Sequence, residues 1–201
     1  MDTNTMINIE EVIDFFDGLA DKWDAMEIKD DNIINTILDN AGVVEGCSVL
    51  DVACGTGIMI PYYLNKKVSS VTAVDISPKM VEIARHKFEG DKRVNILCCD
   101  VEKLDLDDDY DNIVIYNAFP HFQDAQRLIR CLSSKLRSGG RLTVAHGMSK
   151  EKIDAHHKGS AIHVSNGLME ADELADIFNE YLEVTTVLSD DNMYQVVGMK
   201  L

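Results

Sequence analysis

The sequence predicts one α/β domain: a mostly parallel sheet with helices on both faces and an antiparallel hairpin at its end. Short apolar runs alternate along the chain with longer segments whose apolar residues recur at helical spacing. The runs are hydrophobic at successive positions, which is typical of strands buried on both faces. The last two runs are separated by only a short Asp-Asp-Asn turn, so they must pair antiparallel. The length of 201 residues suits a single domain over 1–201.

The N-terminal part is predicted to be helical. Apolar residues recur at helical spacing over 7–26, and we expect one or two short helices with a break near Gly18. A further helix is predicted over 32–41, where Gly42 follows as a stop signal.

Strands and helices then alternate. Parallel strands are predicted at 48–52, 71–74, 94–99, 112–116 and 141–146. Helices are predicted at 58–64, 77–88, 124–136 and 149–158, and Ser138-Gly139-Gly140 is expected to close the third of these. The tail adds a helix at 170–181 and strands at 182–188 and 193–200. Seven strands are therefore expected in the sheet.

Composition excludes several classes of partner. The 35 acidic residues against 19 Lys and Arg give a formal net charge of −16, which disfavours binding to nucleic acid or to an anionic membrane surface. No apolar run is long enough to span a bilayer, and the N-terminus shows no signal-peptide pattern. The five cysteines form no CxxC spacing. These features predict a cytoplasmic protein with reduced thiols.

The Gly-rich segment after the first strand is the first candidate for chemistry. Asp51 to Gly57 leaves a strand and enters a helix, where glycines allow a close approach of the backbone to a ligand. Gly55-x-Gly57 alone is a weak signal, because the third glycine of the dinucleotide fingerprint and the Gly-Lys-Ser/Thr of a P-loop are both missing. Asp51 would repel phosphate and suits a ligand that carries an ammonium group.

Two more aspartates follow the next two strands. Asp75 lies 18 residues after Gly57, where a carboxylate can accept hydrogen bonds from both hydroxyls of a ribose. Asp100 ends the third strand and can accept from an adenine amino group, while the amide of Val101 donates to the ring. Each aspartate alone is more often a turn or cap residue. Three at the ends of consecutive strands indicate a nucleoside-binding edge.

Five segments together resemble the motifs of class I S-adenosylmethionine-dependent methyltransferases, in the quinone-biosynthesis methyltransferase-like or methyltransferase-11-like group. They are Val49–Gly57 (VLDVACGTG), Val74–Met80 (VDISPKM), Cys99–Glu102 (CDVE), Tyr110–Phe122 (YDNIVIYNAFPHF) and Leu136–Leu142 (LRSGGRL). The resemblance implies a Rossmann-like fold and S-adenosylmethionine as the cofactor. It is specific for the cofactor and not for the acceptor.

The resemblance also assigns roles to residues. The turn after the first strand would face the methionine part and its ammonium, Asn117 would lie near the sulfonium, and Trp23 with Phe16 would belong to a lid over the cofactor, unless these aromatics only pack their helix. The implied cofactor-binding residues are Trp23, Asp51, Ala53, Gly55, Thr56, Gly57, Asp75, Ile76, Met80, Asp100, Val101 and Asn117.

Three histidines are the candidates for positioning the acceptor or removing its proton. His121 follows the fourth strand, His146 ends the fifth, and His157 lies on the helix after it. A neutral imidazole can accept a proton near pH 7. His121 could instead satisfy backbone groups at the strand end, and His157 could be a solvated helix residue. If the three converged they would also suit a divalent metal, so a metal site stays open.

The sequence therefore predicts a methyltransferase that acts on a small-molecule acceptor. Residues 1–28 are expected to form lid helices, and 148–169 an insertion on the acceptor side. A non-catalytic module that senses S-adenosylmethionine or a metal is the alternative. A nucleic-acid methyltransferase is disfavoured by the charge and by Asn117-Ala118-Phe119-Pro120, which differs from an Asn-Pro-Pro-Tyr motif.

Overall fold

The computed structural model describes residues 7–104, 109–157, 161 and 163–201, without the side chains of His156 and His157. Its strands are β1 (Ser48–Val52), β2 (Ser70–Asp75), β3 (Val94–Cys98), β4 (Tyr110–Tyr116), β5 (Leu136–His146), β6 (Glu183–Ser189) and β7 (Tyr194–Met199). Its helices are α1 (Ile9–Met26), α2 (Asp31–Asn40), α3 (Ile60–Asn65), α4 (Pro78–Lys87), α5 (Ala125–Ser134), α6 (Lys150–His157) and α7 (Ala171–Asn179).

The strands form one sheet in the order β3-β2-β1-β4-β5-β7-β6. Strands β1 to β5 run parallel, and β7 pairs antiparallel with both β5 and β6. The predicted fold class, with its C-terminal hairpin and N-terminal helix, is confirmed. The strand order reverses beside β1, between β2 and β4, which is where open α/β sheets bind ligands.

Both faces of the sheet are covered, which explains the continuous apolar runs. On one face, α5 and α7 pack around Ile113, Leu132 and Phe178. On the other, α2, α3 and α4 pack around Ile37 and Tyr63. The sheet is therefore buried except at its edges and at the ends of its strands.

The predicted break near Gly18 is wrong, because α1 is one helix from Ile9 to Met26. A glycine inside a helix costs only about 1 kcal/mol relative to alanine. The burial of Val12 and Ala20 on the inner face offsets this cost.

The fifth strand begins earlier than predicted, at Leu136 rather than at Arg141. Ser138-Gly139-Gly140 does not form a terminating turn but continues the strand. A Cβ on Gly140 would lie 2.8 Å from the carbonyl oxygen of Tyr110, so glycine here permits close pairing with β4. A register shift between Tyr110 and Asn112 accommodates the irregularity.

Helix α1 lies over the edge of the sheet and packs against the segment that follows α6. Ile7 and Val12 form a small apolar cluster with Ala161 and Val164. None of the described helices is both long and apolar enough to cross a membrane.

Candidate active site

A deep cavity opens at the carboxyl ends of β1 to β4 and is covered by α1. Its volume is about 1030 Å³, which includes the space at its open mouth. Residues just past the strand ends form its floor: Ala53, Cys54, Gly55, Asp75, Ile76, Cys99, Asp100, Val101, Asn117 and Ala118. Residues of α1 and its C-terminal end form the cover: Ile9, Val12, Phe16, Trp23 and Glu27. The cavity therefore lies at the reversal of strand order.

The backbone turns sharply where β1 and β4 end. Ala53 and Asn117 adopt left-handed conformations with φ of 56° and 54°, which are uncommon for residues other than glycine. Both line the cavity. The N–H of Asn117 donates to the carbonyl of Ala145 at 2.9 Å, and its Oδ1 accepts from the N–H of Gly147 at 3.0 Å. Such strain concentrates at functional sites, and at Asn117 the end of β5 holds it in place.

Asp75 faces the cavity from the end of β2. Its Oδ2 accepts a hydrogen bond from the N–H of Gly55 and its Oδ1 from the N–H of Ser77, both at 2.8 Å. Burial raises the pKa of Asp75, although these two N–H groups and that of Ile76 favour the charged form. The carboxylate is thus fixed in one orientation between the glycine turn and the start of α4.

Asp100 and Val101 form the far end of the cavity. Asp100 Oδ1 accepts from the N–H of Glu102 at 3.0 Å and caps a short 3₁₀ turn. Glu102 pairs with the Arg127 guanidinium through two hydrogen bonds of 2.8 and 2.7 Å. Glu102 and Arg127 also line the cavity, although the sequence motifs gave them no role.

Aromatic residues of α1 close the cavity from above. The Phe16 ring contacts those of Trp23 and His121 edge to face, with centroids 5.5 and 5.0 Å apart. Trp23 Nε1 lies 3.7 Å from the position of a Cβ on Gly55, so the indole covers the glycine turn. Ile76 and Met80 line the cavity together with Asp75.

Three of the implied cofactor residues do not line the cavity. Asp51 is buried behind the turn, where its Oδ1 accepts from the Tyr63 hydroxyl at 3.2 Å. Burial raises the pKa of Asp51 to about 7. Thr56 donates to Asp24 at 2.6 Å and thereby ties the turn to α1. Gly57 has a φ of 85°, and a Cβ there would lie 2.6 Å from the Phe88 ring. These residues support the turn from behind.

The three candidate histidines do not share one environment. His121 lines the cavity, and its Nδ1 lies 2.7 Å from the carbonyl oxygen of Val164. His146 is only 2% exposed and stacks edge to face on Tyr194 outside the cavity lining. The side chain of His157 lies outside the described residues. No group of three or more possible metal ligands occurs in the described part of the chain.

Sequence analysis missed Glu27, which lines the cavity at the end of α1. Burial raises the pKa of Glu27 to about 7, and the nearby Asp24 carboxylate adds to the shift. Its spacing of four residues from Trp23 places both side chains on one face of the helix, and this was the available signal. Tyr116, Gln123 and Arg127 were missed as well.

Comparison with known proteins agrees with this geometry. Residues 50–144 match the family model described as "Methyltransferase domain". The chain is 32% identical to malonyl-[acyl-carrier protein] O-methyltransferase of Acetivibrio thermocellus, over 62% of this chain and 45% of that protein. It is 31% identical to ubiquinone biosynthesis O-methyltransferase of Coxiella burnetii, over 68% and 61% of the two. The chain thus spans about half the length of the curated relatives it matches.

Solved structures share the fold. The putative methyltransferase crystallised with the Trm112 activator of Haloferax volcanii has a TM-score of 0.79 at 20% identity, covering 94% of this chain and 97% of that one. Magnesium protoporphyrin IX methyltransferase of Synechocystis, solved with S-adenosylhomocysteine (SAH), has a TM-score of 0.70 at 19% identity, covering 96% and 100%.

Proposed function

Because this chain belongs to the class I S-adenosylmethionine-dependent methyltransferases, we propose that it binds S-adenosylmethionine in the cavity under α1 and transfers the methyl group to a small-molecule acceptor. One observation carries the proposal: a single cavity gathers Asp75, Asp100 and the left-handed pair Ala53 and Asn117. These groups follow four neighbouring strands, so the fold itself aligns them along one edge.

The chemistry of these residues fits the cofactor. The fixed Asp75 carboxylate retains acceptor capacity for ribose hydroxyls, since its two oxygens offer about four acceptor sites and at most three backbone N–H groups, those of Gly55, Ser77 and Ile76, occupy them. Asp100 and Val101 would hold the adenine edge, and the turn from Ala53 to Gly55, with Asn117, would hold the methionine part. When bound, the cofactor supplies a methyl group on a sulfonium, which is already a good electrophile.

The protein's own contribution is positioning and the exclusion of water. Phe16 and Trp23 cover the cavity with aromatic surface, and Asp24 fastens the end of α1 to Thr56 and to Lys87. An acceptor held in line under this cover needs no further activation unless it must lose a proton.

The parts of the chain outside the matched domain would choose the acceptor. We assign residues 1–28 to the lid and 148–169 to an acceptor-side insertion. The contact of His121 with Val164 and the packing of Ala161 on α1 support this division. The two curated relatives are named O-methyltransferases, which favours an oxygen atom as the methyl acceptor.

Calorimetry with SAH and a methyl-transfer assay test the proposal. Wild-type protein should bind SAH, and Asp75→Asn should weaken binding at least tenfold, because hydrogen bonds to a charged group contribute about 1.5–3 kcal/mol each. The matched control is Asp172→Asn, an exposed carboxylate on α7, which should leave affinity unchanged. Transfer of labelled methyl groups to hydroxyl-bearing small molecules should accompany binding. Absence of SAH binding by the wild type, or equal affinity in Asp75→Asn, would refute the proposal.

A further inference from the structure

The Glu27 carboxyl lines the cavity but has no part in the cofactor assignments above. It follows the last residue of α1, and its N–H donates to the carbonyl of Trp23 at 3.1 Å. Trp23 covers the glycine turn, so Glu27 lies one helical turn further along the same cover. The carboxyl also lies near Tyr116, and the next residue, Asn117, is proposed to hold the methionine part of the cofactor.

The carboxyl of Glu27 has no basic partner among the side chains that the structure describes. The nearby Lys87 instead pairs with Asp24 at 2.5 Å, and Thr56 donates to the same carboxylate. A half-buried carboxyl without a donor is costly to keep charged. Such a group is therefore available to take up a proton from a molecule in the cavity.

The wall of the cavity that Glu27 joins is largely apolar, because Phe16, Trp23 and Ile58 line it as well. Met26 and Ile28, the neighbours of Glu27 in the chain, are 56% and 72% exposed and lie outside the lining. A mostly apolar lining favours a ligand whose body is apolar. The polar group of such a ligand would then meet Glu27.

Charged and titratable groups around Glu27 come from α1 and the segment after it, and from α3, α4 and β4. They are Asp24, Lys29, Asp30, Tyr62, Lys87 and Tyr116. Burial is the largest cause of the raised pKa of Glu27, about 7, and Asp24 adds to it, while Lys29 and Lys87 oppose it. A base with this pKa is half deprotonated at neutral pH and is matched to general-base work there.

We propose that Glu27 is the general base of the acceptor site, and that the acceptor is an uncharged hydroxyl compound whose apolar body rests on the apolar wall of the cavity at Ile58. This rests on the proposed function. The acceptor oxygen forms a bond to the methyl carbon, and the bond between that carbon and sulfur breaks with its electron pair left on sulfur. The hydroxyl proton passes to the Glu27 carboxylate. The products are a methyl ether, SAH and a protonated Glu27, which releases its proton to water.

The test uses 4-hexylphenol as the probe, with phenol for comparison. Binding of SAH is measured first, because its failure in the wild type would concern the proposed function alone. Wild-type protein with SAH bound should bind 4-hexylphenol, and with S-adenosylmethionine it should methylate the probe. Glu27→Gln should lower kcat at least 100-fold while the Kd for SAH stays within twofold.

The pH profile separates a base from a merely structural residue. In wild-type protein, kcat/KM for 4-hexylphenol should fall as the pH drops below about 7, since Glu27 must be deprotonated to accept the proton. This fall in kcat/KM at low pH should vanish in Glu27→Gln. It should persist in the matched control Asp21→Asn, which removes an exposed carboxylate on α1. Ile58→Ser should raise KM for 4-hexylphenol and leave KM for phenol unchanged, whereas the double variant Met26→Ser, Ile28→Ser, outside the cavity lining, should leave both KM values unchanged.

Four results would overturn the assignment in a protein that binds SAH. They are failure of the wild type to bind or methylate 4-hexylphenol, wild-type turnover in Glu27→Gln, an unchanged fall in kcat/KM at low pH in that variant, and loss of SAH affinity in that variant. The last would place Glu27 on the ammonium of the cofactor instead.

Discussion

At the scale of single residues, the turn after β1 depends on conformations and spaces that a side chain would disturb. Gly57 combines a φ of 85° with a position at which a Cβ would meet the Phe88 ring at 2.6 Å and Ile60 Cδ1 at 3.0 Å. Gly46 has the same φ of 85° but open space around it. Substituting alanine at each of the two glycines therefore separates two contributions to the loss of stability, the strained backbone conformation and the steric contact.

Gly57→Ala should lower the free energy of unfolding by about 2–4 kcal/mol, because strain and overpacking both act. Gly46→Ala should lower it by only about 1 kcal/mol, from strain alone. Urea denaturation of both variants measures the difference. Equal losses would show that the contact with Phe88 contributes nothing to the requirement for glycine.

Residue positions at strand ends were predictable, whereas side-chain directions near them were not. Asp75 and Asp100 follow apolar runs, so their place at the cavity follows from the parallel sheet. Asp51 lies within β1, where alternation turns its side chain toward Tyr63 behind the turn. For Glu27, one residue past a helix, the only sign in the sequence that it reaches the same cavity is its spacing of four residues from Trp23.

At the scale of elements, α1 is fastened to the cavity floor by polar contacts at two points along its length. Asp17 accepts from the Ser77 hydroxyl and from the N–H of Lys79, both at the start of α4. Asp24 pairs with Lys87 near the end of α4. These contacts fix the position of α1, which covers the cavity, relative to α4, the helix that follows Asp75.

Asp17→Ala should loosen α1 without unfolding the domain. Hydrogen exchange across residues 9–26 should become faster, and the affinity for SAH should fall severalfold because Phe16 and Trp23 lose their fixed position. Exchange measured by mass spectrometry checks this, with Asp21→Ala on the exposed face as the control. Unchanged exchange of α1 in Asp17→Ala would contradict the role given to this contact.

The elements themselves were largely predictable, since apolar periodicity and caps such as Ser77 and Pro78 are local signals. The two errors, at Gly18 and at Ser138-Gly139-Gly140, share a cause. Glycine indicates a break when only neighbouring residues are considered, but tertiary packing can stabilise it inside a helix or exploit it inside a strand. Such packing is not encoded in local sequence.

At the scale of the whole molecule, buried carboxyls make stability depend on pH. Burial raises the pKa of Asp51 to about 7 and raises that of Asp75 as well. In the unfolded chain such groups titrate near 3.9. Where a group is protonated in the folded chain and ionised in the unfolded chain, the folded chain binds more protons, so the unfolding free energy falls as pH rises. For Asp51 this fall extends from about pH 4 to about pH 7, and Asp75 contributes in the same direction.

Asp51→Asn should flatten this dependence. Between pH 5 and pH 8 the unfolding free energy should fall by about 2–3 kcal/mol less in the variant than in the wild type, because the carboxyl with the raised pKa no longer titrates. Urea denaturation across this pH range gives the comparison, and carboxyls that do not interact with Asp51 cancel in the difference. In the control Asp172→Asn, at an exposed position on α7, the unfolding free energy should depend on pH as it does in the wild type. If the unfolding free energy of Asp51→Asn changed with pH as steeply as that of the wild type, the titration of Asp51 would not be a cause of the pH dependence.

The fold and the residues of the proposed cofactor edge were thus accessible from sequence, because a parallel sheet brings strand ends together whatever surrounds them. The proposed acceptor side was not, because the end of α1, His121 and the segment around Val164 come together only through tertiary packing. His146 illustrates this limit, since it ends a strand next to β4 and is nevertheless buried away from the cavity.

The central claim is that the cavity beneath α1 binds the methyl donor, and a crystal structure of the protein with SAH tests it most directly. We expect SAH inside this cavity, with its ribose hydroxyls about 3 Å from the Asp75 carboxylate and its adenine beside Asp100 and Val101. The methionine part should lie along the turn from Ala53 to Gly55. SAH bound outside the cavity, or bound within it without contact to Asp75, would contradict the account.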